Sequence, residues 1–185
     1  MKTISFCPTT PLQDRIIEAR GKLYRIALAW CGDEMLADDL VQETITAAMK
    51  NYKQLRDEKS LFGWVCSIMK NQWYHHLRKQ KNHDNIDEQL HLPTDDEGPF
   101  GRCQEKDMIR QVRIAVAELT LEQRQIISLI DLGELSYCEV SQTLNIPVGT
   151  VMSRLHRARK NLLKKLKIKQ QAAMPAPRKL QLVEK

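Results

Sequence analysis

Apolar positions recur every three or four residues along most of the chain, with almost no strict alternation. That is the period of helices buried along one side. The clearest case follows Pro147. Val151, Leu155, Ala158, Leu162 and Leu166 form one stripe from Val148 onward. The opposite face carries Gly149, Thr150, Ser153, His156, Arg157 and Lys160, with Arg154 beside it and Lys164 further along. Upstream, Ser136 and Glu139 form a capping box, which starts a short helix with Val140 and Leu144 inside. Asn145 stands where the chain must turn sharply, and Asn tolerates the left-handed conformation. Pro147 suits a first helical turn, where its missing N–H is not needed. A short helix, a tight turn and a second helix with a cationic outer face predict a helix-turn-helix.

The same period organises the rest. Thr10, Pro11 and Gln13 open a first helix with Leu12, Ile16, Ala19, Leu23, Ile26, Ala27 and Trp30 inside, ended by Gly32 and Asp33. The second buries Ala37, Leu40, Val41, Thr44, Ile45, Ala48, Met49 and Tyr52, and exposes Asp38, Asp39, Gln42 and Glu43. Asp33, Glu34, Asp38 and Asp39 also suit the positive end of that helix, a purely structural use. After a polar connection, Ser60 is expected to cap a third helix that buries Leu61, Val65, Ile68, Met69 and Trp73. Its other face carries Ser67, Lys70, Asn71, Tyr74 and Arg78. Trp64 and Trp73 read as core, whereas Tyr74 points outward and is a candidate for base stacking.

From Asn82 to Asp107 the period disappears, and eight acids face two bases around Pro93, Gly98, Pro99 and Gly101. This predicts an extended acidic linker. Met108, Ile109, Val112, Val116 and Leu119 then predict a further helix. Thr120 with Gln123 caps another, containing Ile126, Ile127, Leu129 and Ile130 and ended by Gly133. The tail lacks a core face and is expected to be disordered. The fold class is therefore all-α: helical units at 11–81 and 108–168, a linker at 82–107 and a tail at 169–185.

Charge sharpens this. The 185-residue chain has a formal charge of +6. Residues 148–169 alone hold eight Lys or Arg and no acid. Solvated helix faces usually mix both signs, so a one-signed face on the second helix of such a motif favours phosphate contact. Cys7, Cys31, Cys66, Cys103 and Cys138 are widely spaced without a Cys-x-x-Cys pair, and read as reduced thiols rather than disulfides or zinc ligands. His75, His76, His83, His91 and Cys103 match no standard metal spacing. No apolar run is long enough to span a bilayer, and Met1–Thr10 lacks the order of a signal peptide. No nucleophile–base pair or phosphate-cradling glycine loop is evident. A cytoplasmic DNA-binding protein without enzymatic activity, cofactor or metal is expected.

Three stretches carry a resemblance. Ala37-Asp38-Asp39-Leu40-Val41-Gln42-Glu43-Thr44 resembles the helix by which bacterial sigma factors of the extracytoplasmic-function (ECF) class, within the sigma-70 type, dock on RNA polymerase. Phe62-Gly63-Trp64 through Ile68 and Asn71 resembles their helix facing the −10 promoter element. Gly149-Thr150-Val151, Ser153-Arg154-Leu155 and Arg157-Ala158-Arg159 resemble the helix that enters the −35 major groove. The likeness spans about Leu12 to Leu166 in the family's order.

The resemblance implies a transcription initiation factor that binds core RNA polymerase and directs it to promoters, with 11–81 as sigma region 2 and 108–168 as region 4. It assigns Asp38, Asp39, Gln42 and Glu43 to polymerase. Lys53, Arg56, Asn71, Tyr74 and Arg78 go to the −10 element. Gly149, Thr150, Ser153, Arg154, His156, Arg157, Lys160 and Lys164 go to the −35 element. The loop Lys53–Lys59 would hold one unstacked base, and the acidic linker would thread the polymerase's basic RNA path. An anti-sigma factor is an expected partner, though no residue announces it. There are departures. Met152 stands where many relatives carry a basic side chain, so one −35 contact is missing or apolar. Ser141 replaces a usual Ala, His75 a frequent acid, and Thr120 a common Pro. The rival class is a helix-turn-helix regulator acting without polymerase, which leaves the Asp38–Thr44 helix and the linker unexplained. A protein-binding adaptor leaves the cationic face unused.

Overall fold

The computed structural model describes residues 10–55, 57–83 and 104–173. Arg56, residues 84–103 of the expected linker and residues 174–185 of the tail lie outside the described residues. Eight α-helices follow in order: α1 (Pro11–Glu18), α2 (Arg20–Cys31), α3 (Glu34–Asn51), α4 (Leu61–His83), α5 (Gln104–Ala117), α6 (Leu121–Ile127), α7 (Tyr137–Leu144) and α8 (Val148–Ala173). Short 3-10 turns occupy Tyr52–Gln54 and Glu58–Ser60, and a π-helical turn, Ser128–Leu132, continues α6. The described residues contain no strand.

The caps explain the boundaries. Thr10 and Gln13 make a reciprocal capping box at α1, and Asp33 accepts from the Leu36 amide at 2.7 Å to start α3. Gly32 ends α2 in the left-handed conformation, φ 75°. The expected single first helix is instead two, broken at Ala19, although the stripe Ile16, Leu23, Ile26, Ala27, Trp30 is buried throughout. Ser60 does not cap α4. Its hydroxyl donates to the Asp57 carbonyl, and Asp57 caps the short 3-10 turn that leads in.

α3 buries its expected face, Ala37, Leu40, Val41, Thr44 and Ala48, between α2 and α4, and α4 buries Leu61, Val65, Met69 and Trp73 against its neighbours α3 and α7. α5 departs from expectation. Met108, Ile109 and Val112 are exposed, whereas Ala115 and Leu119 are buried. Its ties come from the C-terminal half, through Arg113 to Glu34 at 3.3 Å and through Glu118 to Lys165 at 3.0 Å. Among the described residues its partners are α8 and α2, and the apolar residues Met108, Ile109 and Val112 are left exposed.

The helix-turn-helix forms as the residues require. Ser136 and Glu139 complete their capping box, and Asn145 sits at φ 56°, ψ 51°. Ser141 adds a tie, its hydroxyl donating to the Ile146 carbonyl across the turn at 2.6 Å. Because Ser136 Oγ accepts from the Glu139 amide and donates to its carboxylate, Ser136→Ala should cost about 1 kcal/mol. Thermal denaturation checks this; an unchanged midpoint would mean that the amide finds another partner.

Candidate nucleic-acid interface

α8 is held by its buried stripe, Val151, Leu155 and Ala158, against α6 and α7. Gly149, Ser153, His156, Arg157, Lys160 and Lys164 are therefore exposed, and Thr150 is half-buried. Arg157 is exposed and lies along its own helix with Nε on the Ser153 carbonyl at 3.3 Å, with no acid paired to it among the described residues. Arg154 is different: it is half-buried and paired with Glu122 of α6 at 3.2 Å. Arg159 pairs with Asp131, and Lys165 with Glu118. These acids take the cations on the flanks of α8 and leave the central ridge uncompensated. Sequence spacing does not reveal such pairing, because the acids are 28 to 47 residues away for Arg159 and Lys165.

On α3, Asp39, Gln42 and Glu43 are exposed. Asp38 is engaged, accepting from Arg20 at 2.6 Å and from Gln42 at 2.8 Å. A shallow cleft of about 450 Å³ runs beside Gln42 and Glu43 and reaches Lys50 and Gln72. On α4 and its approach, Lys53, Asn71 and Arg78 are exposed, with Arg78 Nε on the Tyr74 carbonyl at 3.2 Å.

The two helical units pack on each other, and α7 lies along α4. Thr143 Oγ1 donates to the Gly63 carbonyl at 3.2 Å, and Lys70 Nζ to the Thr143 carbonyl at 2.8 Å. Desolvation lowers the Lys70 pKa. The ammonium sits on the last turn of α7, where the helix dipole favours a cation. Tyr74 donates to Gln125 Oε1 at 3.1 Å. Deeper in the seam, Trp30 Nε1 donates to Ser128 Oγ at 2.7 Å. Lys22 binds Glu134 at 2.6 Å and lies 5.3 Å over the Phe62 ring. Lys70 and Tyr74, read from sequence as outward, thus face the other unit. Buried polar groups sit within this otherwise apolar seam: Arg124 is 6% exposed with Nε unpaired among the described residues, its pKa lowered by burial against a weaker opposing pull from Cys31, and buried Gln125 leaves Nε2 unpaired.

Comparisons with known proteins agree with this arrangement. Residues 16–83 match the family model for sigma-70 region 2, and residues 109–162 that for sigma-70 region 4. The ECF RNA polymerase sigma factor SigC of Mycobacterium tuberculosis is 30% identical over 139 residues, 74% of this chain and 73% of its own length. EcfG of Rhodopseudomonas palustris is 29% identical over 154 residues, covering 83% and 84%. Among solved structures, RpoE from Bartonella quintana, in complex with the anti-sigma factor NepR, superposes with a TM-score of 0.70 at 23% identity, covering 86% of this chain and 99% of that one. CnrH, in complex with the cytosolic domain of CnrY, gives 0.57 at 20% identity, covering 88% and 89%. The two matched regions, in this order, place the chain in the sigma-70 class of transcription initiation factors. Within it, the chain belongs to the extracytoplasmic-function sigma factors. Among the described residues no helix is long and apolar enough to cross a membrane.

Proposed function

We propose that the chain, acting in the cytoplasm and without catalysis of its own, docks on core RNA polymerase through the α3 face bearing Asp38, Asp39, Gln42 and Glu43. α4, with Lys53, Arg56, Asn71, Tyr74 and Arg78 on or near it, takes the −10 element as the duplex opens. α8 takes the −35 element, with Gly149, Thr150, Ser153 and Arg157 toward base edges and Lys160 and Lys164 on phosphates. One observation carries the reading most: the outer ridge of α8 is cationic and exposed and, among the described residues, free of the acids that neutralise its flanks. The units 11–81 and 108–168 serve as regions 2 and 4 of the family. An anti-sigma partner is supported by the complex of RpoE with the anti-sigma factor NepR, whose fold this chain shares. Because region 4 engages Lys70 and Tyr74, promoter binding needs the two units to separate.

Run-off transcription with core polymerase, with and without this protein, tests the whole reading. Transcription that never depends on it would leave only a DNA-binding regulator. The docking surface has its own test. Asp39→Lys with Glu43→Lys should weaken core binding at least tenfold, since reversed charge at an interface costs several kcal/mol. Both side chains are exposed, so circular dichroism should not change. Normal core affinity would move docking off α3.

A further inference from the structure

Met152 keeps 52% of its surface in water one turn into α8, and Val148, one turn earlier, keeps 37%. Exposed apolar side chains are ordinary when scattered over a surface, so the position has to decide. Positions 148, 152 and 156 follow the i, i+4, i+8 spacing of a single ridge, 149 and 153 lie on the row beside it, and all five are exposed. Met152 therefore stands beside Gly149, Ser153 and His156, on the edge of the surface assigned above to DNA. A Cβ on Gly149 would meet nothing within 4 Å, so no internal packing requires the glycine there. The bare backbone lets a large body approach the helix next to Met152. Arg154, two residues on and so on the other side of the helix, pairs with Glu122 of α6 and does not compete for that edge.

The floor of a major groove offers donors, acceptors and one apolar feature, the thymine C5-methyl. A thioether side chain has no use for the donors and acceptors. Met is unbranched and polarizable, and adapts its shape to a small apolar target. We propose that Met152, backed by Val148, reads the methyl group of a thymine in the −35 element. The chain thus selects thymine by apolar contact at a position where a basic side chain would favour guanine or phosphate. This rests on the assignment of α8 to the −35 groove and adds one specificity-determining residue to it.

The test uses holoenzyme assembled from core polymerase and the full chain. A −35 element is first selected from a randomised duplex pool, and each of its thymines is then replaced singly by deoxyuridine. That change removes the methyl and keeps the pairing and every polar edge atom. One position should weaken wild-type binding by about fourfold, the worth of one methylene-sized apolar group. Met152→Ala should bind thymine and uracil equally at that position while keeping its preferences elsewhere, and Met152→Leu should retain the discrimination. Wild type indifferent to every uracil, yet still sensitive to base-pair changes in the element, overturns the role of Met152 and leaves α8 in the groove. So does a uracil effect that persists undiminished in Met152→Ala. Binding indifferent even to base-pair changes removes α8 from the groove and the inference with it.

Discussion

Gly63→Gln separates the two helical units while both stay folded. Gly63 is buried on α4 beneath α7, and a Cβ added there would lie 3.8 Å from Leu135 Cδ2, 3.8 Å from Thr143 Oγ1 and 3.9 Å from Glu139 Cβ. One methyl fits those distances; four further heavy atoms, ending in a polar amide, do not. Gly63→Ala is therefore the control that stays closed, and it should gain up to about 1 kcal/mol from helix propensity. Gln is itself a good helix former and adds no charge, so α4 survives and any DNA contact is not repelled. Alkylation resolved by mass spectrometry is one measurement. Cys66 is 0% exposed, one turn from Gly63, with its thiol pKa pushed up by burial and, to a lesser degree, by the Glu139 carboxylate of α7. In Gly63→Gln it should react about tenfold faster or more, in proportion to the open population. Small-angle scattering should show a larger radius of gyration for this variant alone. If Cys66 stays protected and the radius does not change, the seam is not what holds the units together.

Arg157→Ala removes discrimination, whereas Lys164→Ala removes only affinity. Arg157 is exposed on the ridge and pairs with no acid among the described residues. A bidentate arginine–guanine pair discriminates by about 1–3 kcal/mol, so preference at one −35 base should flatten by roughly five- to 150-fold. Lys164 lies two turns further along the same exposed face. Its loss should weaken all sequences alike and make the salt dependence shallower by about one unit, as one phosphate contact fewer requires. Arg154→Ala should have the smaller effect on base preference, because its guanidinium already spans to Glu122. The experiment is a panel of −35 variants at several salt concentrations. An Arg157→Ala protein with unaltered base preference would show that the reading head lies elsewhere on the molecule.

Much of this architecture is legible in the residues. Ser136, Glu139, Asn145 and Pro147 are local signals, each acting within one or two turns, and they place the helix-turn-helix without any tertiary information. The buried stripes of α2, α3, α4 and α8 follow from periodicity because each meets a continuous partner. Periodicity misleads at α5, where Met108, Ile109 and Val112 make an apolar face that no described residue buries. It is silent on the break at Ala19, a residue with no helix-ending chemistry. The site is legible as a set of exposed side chains but not as a set of states. Nothing near Arg154 in sequence announces Glu122. Nothing near Tyr74 or Lys70 announces Gln125 and Thr143, which are 51 and 73 residues away. Such pairings belong to the packing of one unit on the other, and local pattern carries no record of it.

A single run of buried side chains extends from Ile16 to Ala158 and passes through both halves of the molecule. Heat should therefore melt the closed protein in one cooperative step, although the polymerase-facing and promoter-reading halves are distinct in sequence. Their stabilities are shared: a cavity made at Trp30 weakens the grip on Ser128 and so lowers the melting point of the helix-turn-helix. Conversely, any protein that clasps the closed form raises the melting point of both halves together, by an amount that grows with the logarithm of its concentration. Holding the factor silent and protecting it from unfolding are then one and the same equilibrium.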